Sequence, residues 1–245
     1  MDALLCDLPG RQTIAFSYQG DIYTVPSSGG KARQLTTHPA HDTRPVWSPD
    51  GQRIAFASNR SGNFDVFLMN KEGGEPKRLT THSTNEYPTT FKDNGHILYL
   101  ANVLQDAKDI QFPGTRFMQV YEISTDGGRP DLYSSLYMEN IALSKDGSKL
   151  LYNDYKGYED PWRKHHQSSI TRDIWLCTLG KDRSFQKVTT FGGEDRNPVW
   201  AADGASFYYL SEEKGSFNIF KKDLAGNSEK QITTHTTHRA FPYLR

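Results

Sequence analysis

Apolar residues fall in short runs along this chain, and clusters of Gly, Asp, Asn and Ser separate the runs. The spacing of these runs repeats. VWSPDGQRIAFASNRSGNFDVFLMNKEGGEPKRLTTH (46–82) recurs as VWAADGASFYYLSEEKGSFNIFKKDLAGNSEKQITTH (199–235). A third copy, LLCDLPGRQTIAFSYQGDIYTVPSSGGKARQLTTH, occupies 4–38, and looser copies follow FKDNGHILYL (91–100) and LSKDGSKLLY (143–152). Gly10, Gly51, Gly95, Gly147 and Gly204 mark the period. Self-similarity at 40 to 50 residues is the signature of a repeat architecture.

Each copy predicts four short strands. Strand a ends in an Asp-Gly type turn. Strand b carries Ile54-Ala55-Phe56 or Phe207-Tyr208-Tyr209, and strand c carries Asp21-Ile22-Tyr23, Asp65-Val66-Phe67, Asp173-Ile174-Trp175 or Asn218-Ile219-Phe220. Strand d is assigned to the Leu-Thr or Ile-Thr element at Leu35-Thr36, Leu79-Thr80 and Ile232-Thr233. Asp-Gly and Gly-Gly pairs supply the positive φ that tight hairpins need. Helical periodicity is nearly absent, which excludes a helical solenoid, and a sandwich would not repeat its turns so literally. The pattern predicts an all-β fold, a β-propeller of four-stranded antiparallel blades. It makes 1–245 one domain, with blades over 3–38, 43–82, 86–136, 138–191 and 194–235. HRAFPYLR (238–245) reads as the first strand of a sixth blade, so the count is five full blades plus one strand of a truncated six-bladed ring. A closed five-bladed ring is the alternative.

Composition adds bounds. Tyr and Phe each number 13, so aromatics fill much of the core. The 29 basic residues balance the 29 acidic ones, which argues against a nucleic-acid partner. Cys6 and Cys177 are the only cysteines, too few for a disulfide framework, and both fall at strand positions that read as core. No apolar run approaches the roughly 20 residues of a membrane span. MDALLCDLPG lacks the basic and apolar regions of a signal peptide, so exported and cytoplasmic locations both stay open.

The unit WSPDG…IAF…S…GNFDVF…GG…RLT resembles the PD40 repeat of TolB-like propellers. Phrases such as GDIYTVP, ASNRSGNFDVF, WRKHH, TRDIW and GEDRNPVW are similar to the N-terminal propeller of bacterial tricorn-type serine proteases. The resemblance spans essentially the whole chain. It implies a non-catalytic module preceding a second propeller, a PDZ-like domain and a protease domain. It also implies a sixth blade, and the remaining domains of a larger protease as partners.

Strand order sorts the connections onto two ends of each blade. The a–b turns SPDG, KDNG, SKDG and AADG, and the c–d turns SSGG, KEGG and TDGG, share one end. Polar d–a loops share the other: Asp42 and Arg44 follow one, Glu86 and Tyr87 the next, and Glu194, Asp195 and Arg196 a third. The two large insertions, roughly 102–116 and 155–171, are b–c loops on that same end. Loops on a rigid scaffold are where binding residues sit.

The chemistry there suits recognition better than catalysis. His165 and His166 are adjacent and would point apart in an extended segment, so no metal site is expected. The repeated His38, His82 and His235 stand in equivalent places and are expected to bond their own d–a turns. No GxSxG elbow is present, and Ser168 and Ser169 have no specified triad. Glu159-Asp160 and Glu194-Asp195 read as solvated acids or partners for Arg163, Arg172 and Arg196; Asp21, Asp65 and Asp173 read as structural. No catalytic residue and no cofactor are assigned. The binding candidates are Trp162, Arg163, Lys164, His165, His166, Arg172, Glu194, Asp195, Arg196, Arg44 and Asp42. Trp162 offers an amphipathic surface, while Arg163, Lys164 and Arg172 suit carboxylates of a peptide. The opposing expectation is that the insertion folds on its own blade and its charges pair internally. The expected partner is therefore a peptide or another protein, and the expected role is to guide or filter peptide substrates or to scaffold the assembly; the alternatives are a stand-alone TolB-like protein–protein interaction module and then a lyase- or glycosidase-type propeller enzyme.

Overall fold

The computed structural model describes residues 12–102, 118–157, 167–225 and 228–237, together with the backbone of 5–7. Among the described residues every regular element is a strand. Two compact units divide the chain, Met1–Leu136 and Tyr137–Leu244.

The first unit holds three antiparallel sheets. One contains β1 (Leu5–Asp7), β2 (Thr13–Tyr18), β3 (Asp21–Pro26) and β4 (Arg33–Gln34). The next contains β5 (Asp42–Trp47), β6 (Arg53–Ser58), β7 (Asp65–Asn70) and β8 (Gly73–Arg78). The third contains β9 (Glu86–Asp93), β10 (His96–Ala101), β11 (Gln119–Ser124) and β12 (Asp131–Ser134). The second unit holds two: β13 (Met138–Leu143), β14 (Lys149–Asp154), β15 (Ile174–Thr178) and β16 (Ser184–Lys187), then β17 (Asp195–Trp200), β18 (Ser206–Ser211), β19 (Asn218–Asp223) and β20 (Glu229–Gln231). Each sheet runs in chain order, so all five are meandering blades of a β-propeller.

Blades pack face to face because their central strands are apolar on both sides. On β6, Ile54 and Phe56 join Ala15 and Ile22 of the preceding blade. The alternate residue Ala55 joins Ile97, Tyr99 and Ala101 of the following one. Period-two alternation thus serves two cores at once, and a one-residue slip would exchange them. In the second unit Leu151, Ile174 and Val188 meet Phe207, Tyr209 and Phe220 in the same manner.

The predicted turns are present. Gly51, Gly147 and Gly204 take φ of 66°, 70° and 66°. The acid before each glycine closes the turn: Asp146 accepts from the Ser144 and Ser148 hydroxyls at 2.6 and 2.7 Å and from the Ser148 amide at 3.0 Å. Those bonds hold its pKa down at about 2.

Strand d needs correction. In the first, second and fifth blades it ends before the Leu-Thr or Ile-Thr pair, at Gln34, Arg78 and Gln231. The pair instead caps strand c. The amides of Leu35, Leu79, Val188 and Ile232 donate to the carbonyls of Ile22, Val66, Ile174 and Ile219. The hydroxyl of the following Thr then replaces the next ladder carbonyl. Thr36, Thr80, Thr189 and Thr233 Oγ1 accept the amides of Ile22, Val66, Ile174 and Ile219 at 2.9 to 3.1 Å. A side chain extends the sheet where the backbone has already turned away.

Candidate functional site

The loop end of each blade is built around the first residues of strand a. In the first unit, Asp42 opens β5 with no exposed surface, and its amide donates to the Gly20 carbonyl at 2.7 Å. Arg60, from the b–c loop of the same blade, donates Nη2 to both Asp42 oxygens at 3.0 and 2.8 Å. The same guanidinium lies 4.9 Å from the Phe67 ring, and its Nε donates to Ser58 Oγ. Asp42 is therefore a buried charge with a matched partner.

Glu86 holds the equivalent place at the start of β9 and has a different environment. It is 1 % exposed, and its pKa is pushed up to about 7 by burial and then by the neighbouring Asp65 carboxylate. Asp65 is itself buried and meets Arg78 Nη2 at 2.8 Å. The Tyr99 hydroxyl faces Glu86, and burial together with that acid raises the phenol pKa. Two carboxyl groups sharing a low-dielectric site do not both ionise easily.

Beside these acids runs a ladder of rings. The ring centroids of His41 and Phe64 are 6.1 Å apart, edge to face, and those of Phe64 and Tyr87 are 5.5 Å apart. The Arg44 guanidinium caps the ladder at 4.0 Å from the Tyr87 ring. Asparagines clamp the loops that carry it. The His41 amide donates to Asn59 Oδ1 at 2.7 Å and the Phe64 amide to Asn85 Oδ1 at 3.1 Å. Asn63 Nδ2 donates to the carbonyls of His82 and Thr84.

In the second unit the corresponding loops gather Arg172, Glu194, Asp195 and Arg196. Arg172 donates Nε to Glu139 Oε2 and Nη1 to Glu194 Oε1, both at 2.9 Å. Burial opposes its charge, yet the two carboxylates outweigh burial and raise its pKa. Asp195, 1 % exposed, is pushed up to about 7 by burial, with Glu229 and Asp173 adding to the effect against bonds from Ser211 and Thr189. The repeat explains the contrast with Asp42: the position of Arg60 is taken by Glu213. Arg196 is buried, with its guanidinium 4.0 Å from the Phe217 ring.

Strand a bulges at this end. The register shifts between Thr43 and Val46, Glu139 and Ala142, and Arg196 and Val199. The residue inside each bulge is left-handed: Arg44 at φ 54°, Asn140 at 50° and Asn197 at 56°. Asn tolerates that region readily; Arg does not.

The structure thus pairs Arg172 with Glu194 and engages Asp42 with Arg60. Trp162, Arg163, Lys164, His165 and His166 lie outside the described residues. His38 and His82 do bond their own turns, accepting the amides of Ala40 and Thr84 on Nδ1 at 3.0 and 3.2 Å. His235 acts through its backbone, its amide donating to Asn218 Oδ1 at 2.7 Å. Cys177 is buried and its thiol pKa is raised by burial; the side chain of Cys6 lies outside the described residues. Sequence reasoning missed Arg60, Phe64, Tyr87 and the Asp65–Glu86 pair. The recurrence of an acid at 42, 86 and 195 was the available signal. No group of three or more metal-ligating side chains exists among the described residues.

Comparison with known proteins places this geometry. Residues 8–241 match the family described as the tricorn protease N-terminal beta propeller domain. The tricorn protease homolog of Saccharolobus solfataricus is 22% identical over 231 residues, covering 92% of this chain and 20% of that protein. A TolB homolog of Chlorobium luteolum is 41% identical over 56 residues, which are 23% of this chain and 13% of that protein. The chain spans about a fifth or less of the length of these relatives. Among solved structures, that of the tricorn protease superposes with a TM-score of 0.74 at 21% identity, over 96% of this chain and 23% of that one. TolB from Acinetobacter baumannii gives 0.66 at 16% identity, over 92% and 52%.

Proposed function

For a chain that belongs to the tricorn protease N-terminal β-propeller family, we propose a non-catalytic role: its loop end binds peptides and guides or filters them within a larger protease. The observation that carries this reading is the contrast between the two ends of each blade. The turn end is closed by short Asx-type bonds, as at Asp50 and Asp146. The loop end presents half-buried Phe64, Tyr87 and Arg44 on a clamped scaffold. Aromatic and Arg side chains on rigid loops are the usual anchors of peptide recognition.

The buried acids do not favour chemistry. Asp42 and Glu194 are engaged by Arg60 and Arg172. Glu86 and Asp195 are about 1 % exposed, which leaves no route for a substrate to their carboxyl groups. Residues 238–245, read in the sequence as the first strand of a sixth blade, lie outside the described residues. Ile232 is 46% exposed where its equivalents Leu79 and Val188 are 4% and 8%, and Val199 on the same sheet is also 46% exposed. A following blade would cover that apolar face.

Calorimetric titration of the folded chain with short peptides from a digested, denatured protein tests the role. Heat of binding at up to about millimolar peptide supports it, an affinity typical of weak recognition. A folded chain with no affinity in that range would rule out the peptide-guiding role.

A further inference from the structure

Glu86 belongs to the backbone that holds the ring ladder together. Its amide donates to the Phe64 carbonyl at 2.6 Å, while the Phe64 amide donates to Oδ1 of the preceding Asn85 at 3.1 Å. Tyr87, the next residue, meets the Phe64 ring at 5.5 Å between centroids. Where the Glu86 carboxyl group rests therefore decides how Phe64 and Tyr87 are presented.

That carboxyl group lies in the seam between the second and third blades. Asp65 of β7 faces it, and the Thr80 hydroxyl and the His82 amide bond to it from the segment that leads into β9. Arg78 of β8 reaches Asp65 Oδ2 at 2.8 Å. Asn63 Nδ2 links Asp65 Oδ1, at 3.3 Å, to the carbonyls of His82 and Thr84. From β10 the Tyr99 hydroxyl meets Glu86, with the Tyr121 ring of β11 at 5.7 Å behind it. The His82 ring is turned to Thr84, and Arg44 of β5 lies on the Tyr87 ring. Glu86 Oε2, Asp65 Oδ2 and the Tyr99 oxygen are all shut off from solvent. One arginine thus stands by two buried carboxyl groups, and a proton neutralises the second.

Equivalent seams of the repeat show the alternative. On strand b, two residues before the partner of each strand-a acid, stand Phe56, Tyr99 and Tyr209. Phe56 goes with Asp42, which Arg60 neutralises. The tyrosines go with Glu86 and Asp195, where the sequence puts Val103 and Glu213 in the place of that arginine. A guanidinium stays charged throughout the range near neutrality, whereas a carboxyl proton can leave. Resting on the peptide-binding reading above, we propose that a proton shared by Glu86 and Asp65 locks the Phe64 and Tyr87 rings in their binding arrangement, and that its loss releases the 82–87 turn and weakens peptide binding. With a pKa of about 7 in the locked form and about 4 once hydrated, the released form gains as pH rises between those values and levels off above about 7.

Amide hydrogen exchange on the free chain reads the lock without any peptide. After correction for the intrinsic rate, opening at the Phe64 and Glu86 amides is expected to rise roughly tenfold or more from about pH 5.5 to about pH 7.5. It should exceed, at every pH, the opening at Ala55 in the centre of β6, which reports global unfolding. Peptides from a digested, denatured protein should bind about threefold or more weakly at the higher pH, as the competent fraction falls. Glu86→Gln, neutral at every pH, is expected to lose both dependences. Asp65→Asn leaves the Arg78 charge to Glu86 alone and is expected to move the change to lower pH. Opening that does not vary with pH, that only matches Ala55, or that is unmoved in Asp65→Asn overturns the lock. A dependence that survives Glu86→Gln belongs to another group, such as His82, and overturns it too. A lock that opens while affinity stays constant overturns the control of binding. If no peptide binds at either pH, the peptide-binding reading fails, and exchange at Phe64 and Glu86 still decides the lock.

Discussion

Asn153 Oδ1 accepts the backbone N–H of Asn197 at 2.9 Å, inside the bulge that opens the fifth blade. The same amide donates Nδ2 to the Asp195 carbonyl at 2.8 Å and to the Asp173 carbonyl at 3.2 Å. Its Oδ1 also accepts from Asn140 Nδ2 at 3.1 Å, so one fully buried side chain ties two bulges together. Asn153→Leu removes the acceptor of the buried Asn197 amide and the donor to the Asp195 carbonyl. A loss of about 2–4 kcal/mol is expected in urea unfolding, since each orphaned buried group costs about 1–3 kcal/mol.

The threonines that extend strand c make a repeated and separable contribution. Thr80→Val and Thr189→Val keep the shape but remove the acceptor for the Val66 and Ile174 amides. Each is expected to cost about 1–2 kcal/mol, and the corresponding Ser variants to recover most of it. Equal stability of the Val and Ser forms would show that the hydroxyls do not matter.

Arg60 and Asp42 form a buried pair whose members are not interchangeable with solvent. Arg60→Met strands a carboxylate that has no exposed surface, at an expected cost of about 3–5 kcal/mol. Adding Asp42→Asn should restore part of that loss. A double-mutant cycle by denaturant unfolding reads the coupling directly.

Stability should depend on pH through Glu86 and Asp195. Both have folded pKa values near 7, above the roughly 4 of an unfolded carboxyl group. Between those values the folded state holds more protons than the unfolded state, so stability falls as pH rises and levels off above about 7. Asp146, held down at about 2, acts oppositely, and its contribution is lost as pH falls from about 4. Glu86→Gln and Asp195→Asn should each flatten the Tm profile between pH 5 and 7. An unchanged slope in both variants would contradict the assignment.

The repeat made the blades legible because turns and strand b are local: Gly51, Gly147 and Gly204 announce their positive φ, and Ile54-Ala55-Phe56 its two-sided burial. Strand d was misplaced because Leu79 and Thr80 do bond to strand c, but one bond comes from a hydroxyl. The site was less legible. Asp42, Glu86 and Asp195 look like solvated loop acids in sequence, and only the packing of adjacent strands and loops buries them. Arg172 looked available for a ligand carboxylate, whereas Glu139, 33 residues away, holds it. The strain at Arg44 has no sequence marker beyond the proline that follows it.

Mapping where a peptide lands on the backbone is the most direct test of the central claim. Amide shifts should be followed while short peptides from a digested, denatured protein are added to the folded chain. The account predicts perturbations at 41–44, 59–64 and 82–87, with the turn residues 48–52 and 144–148 unmoved. Perturbations concentrated at the turn end, or none at saturating peptide, would contradict it.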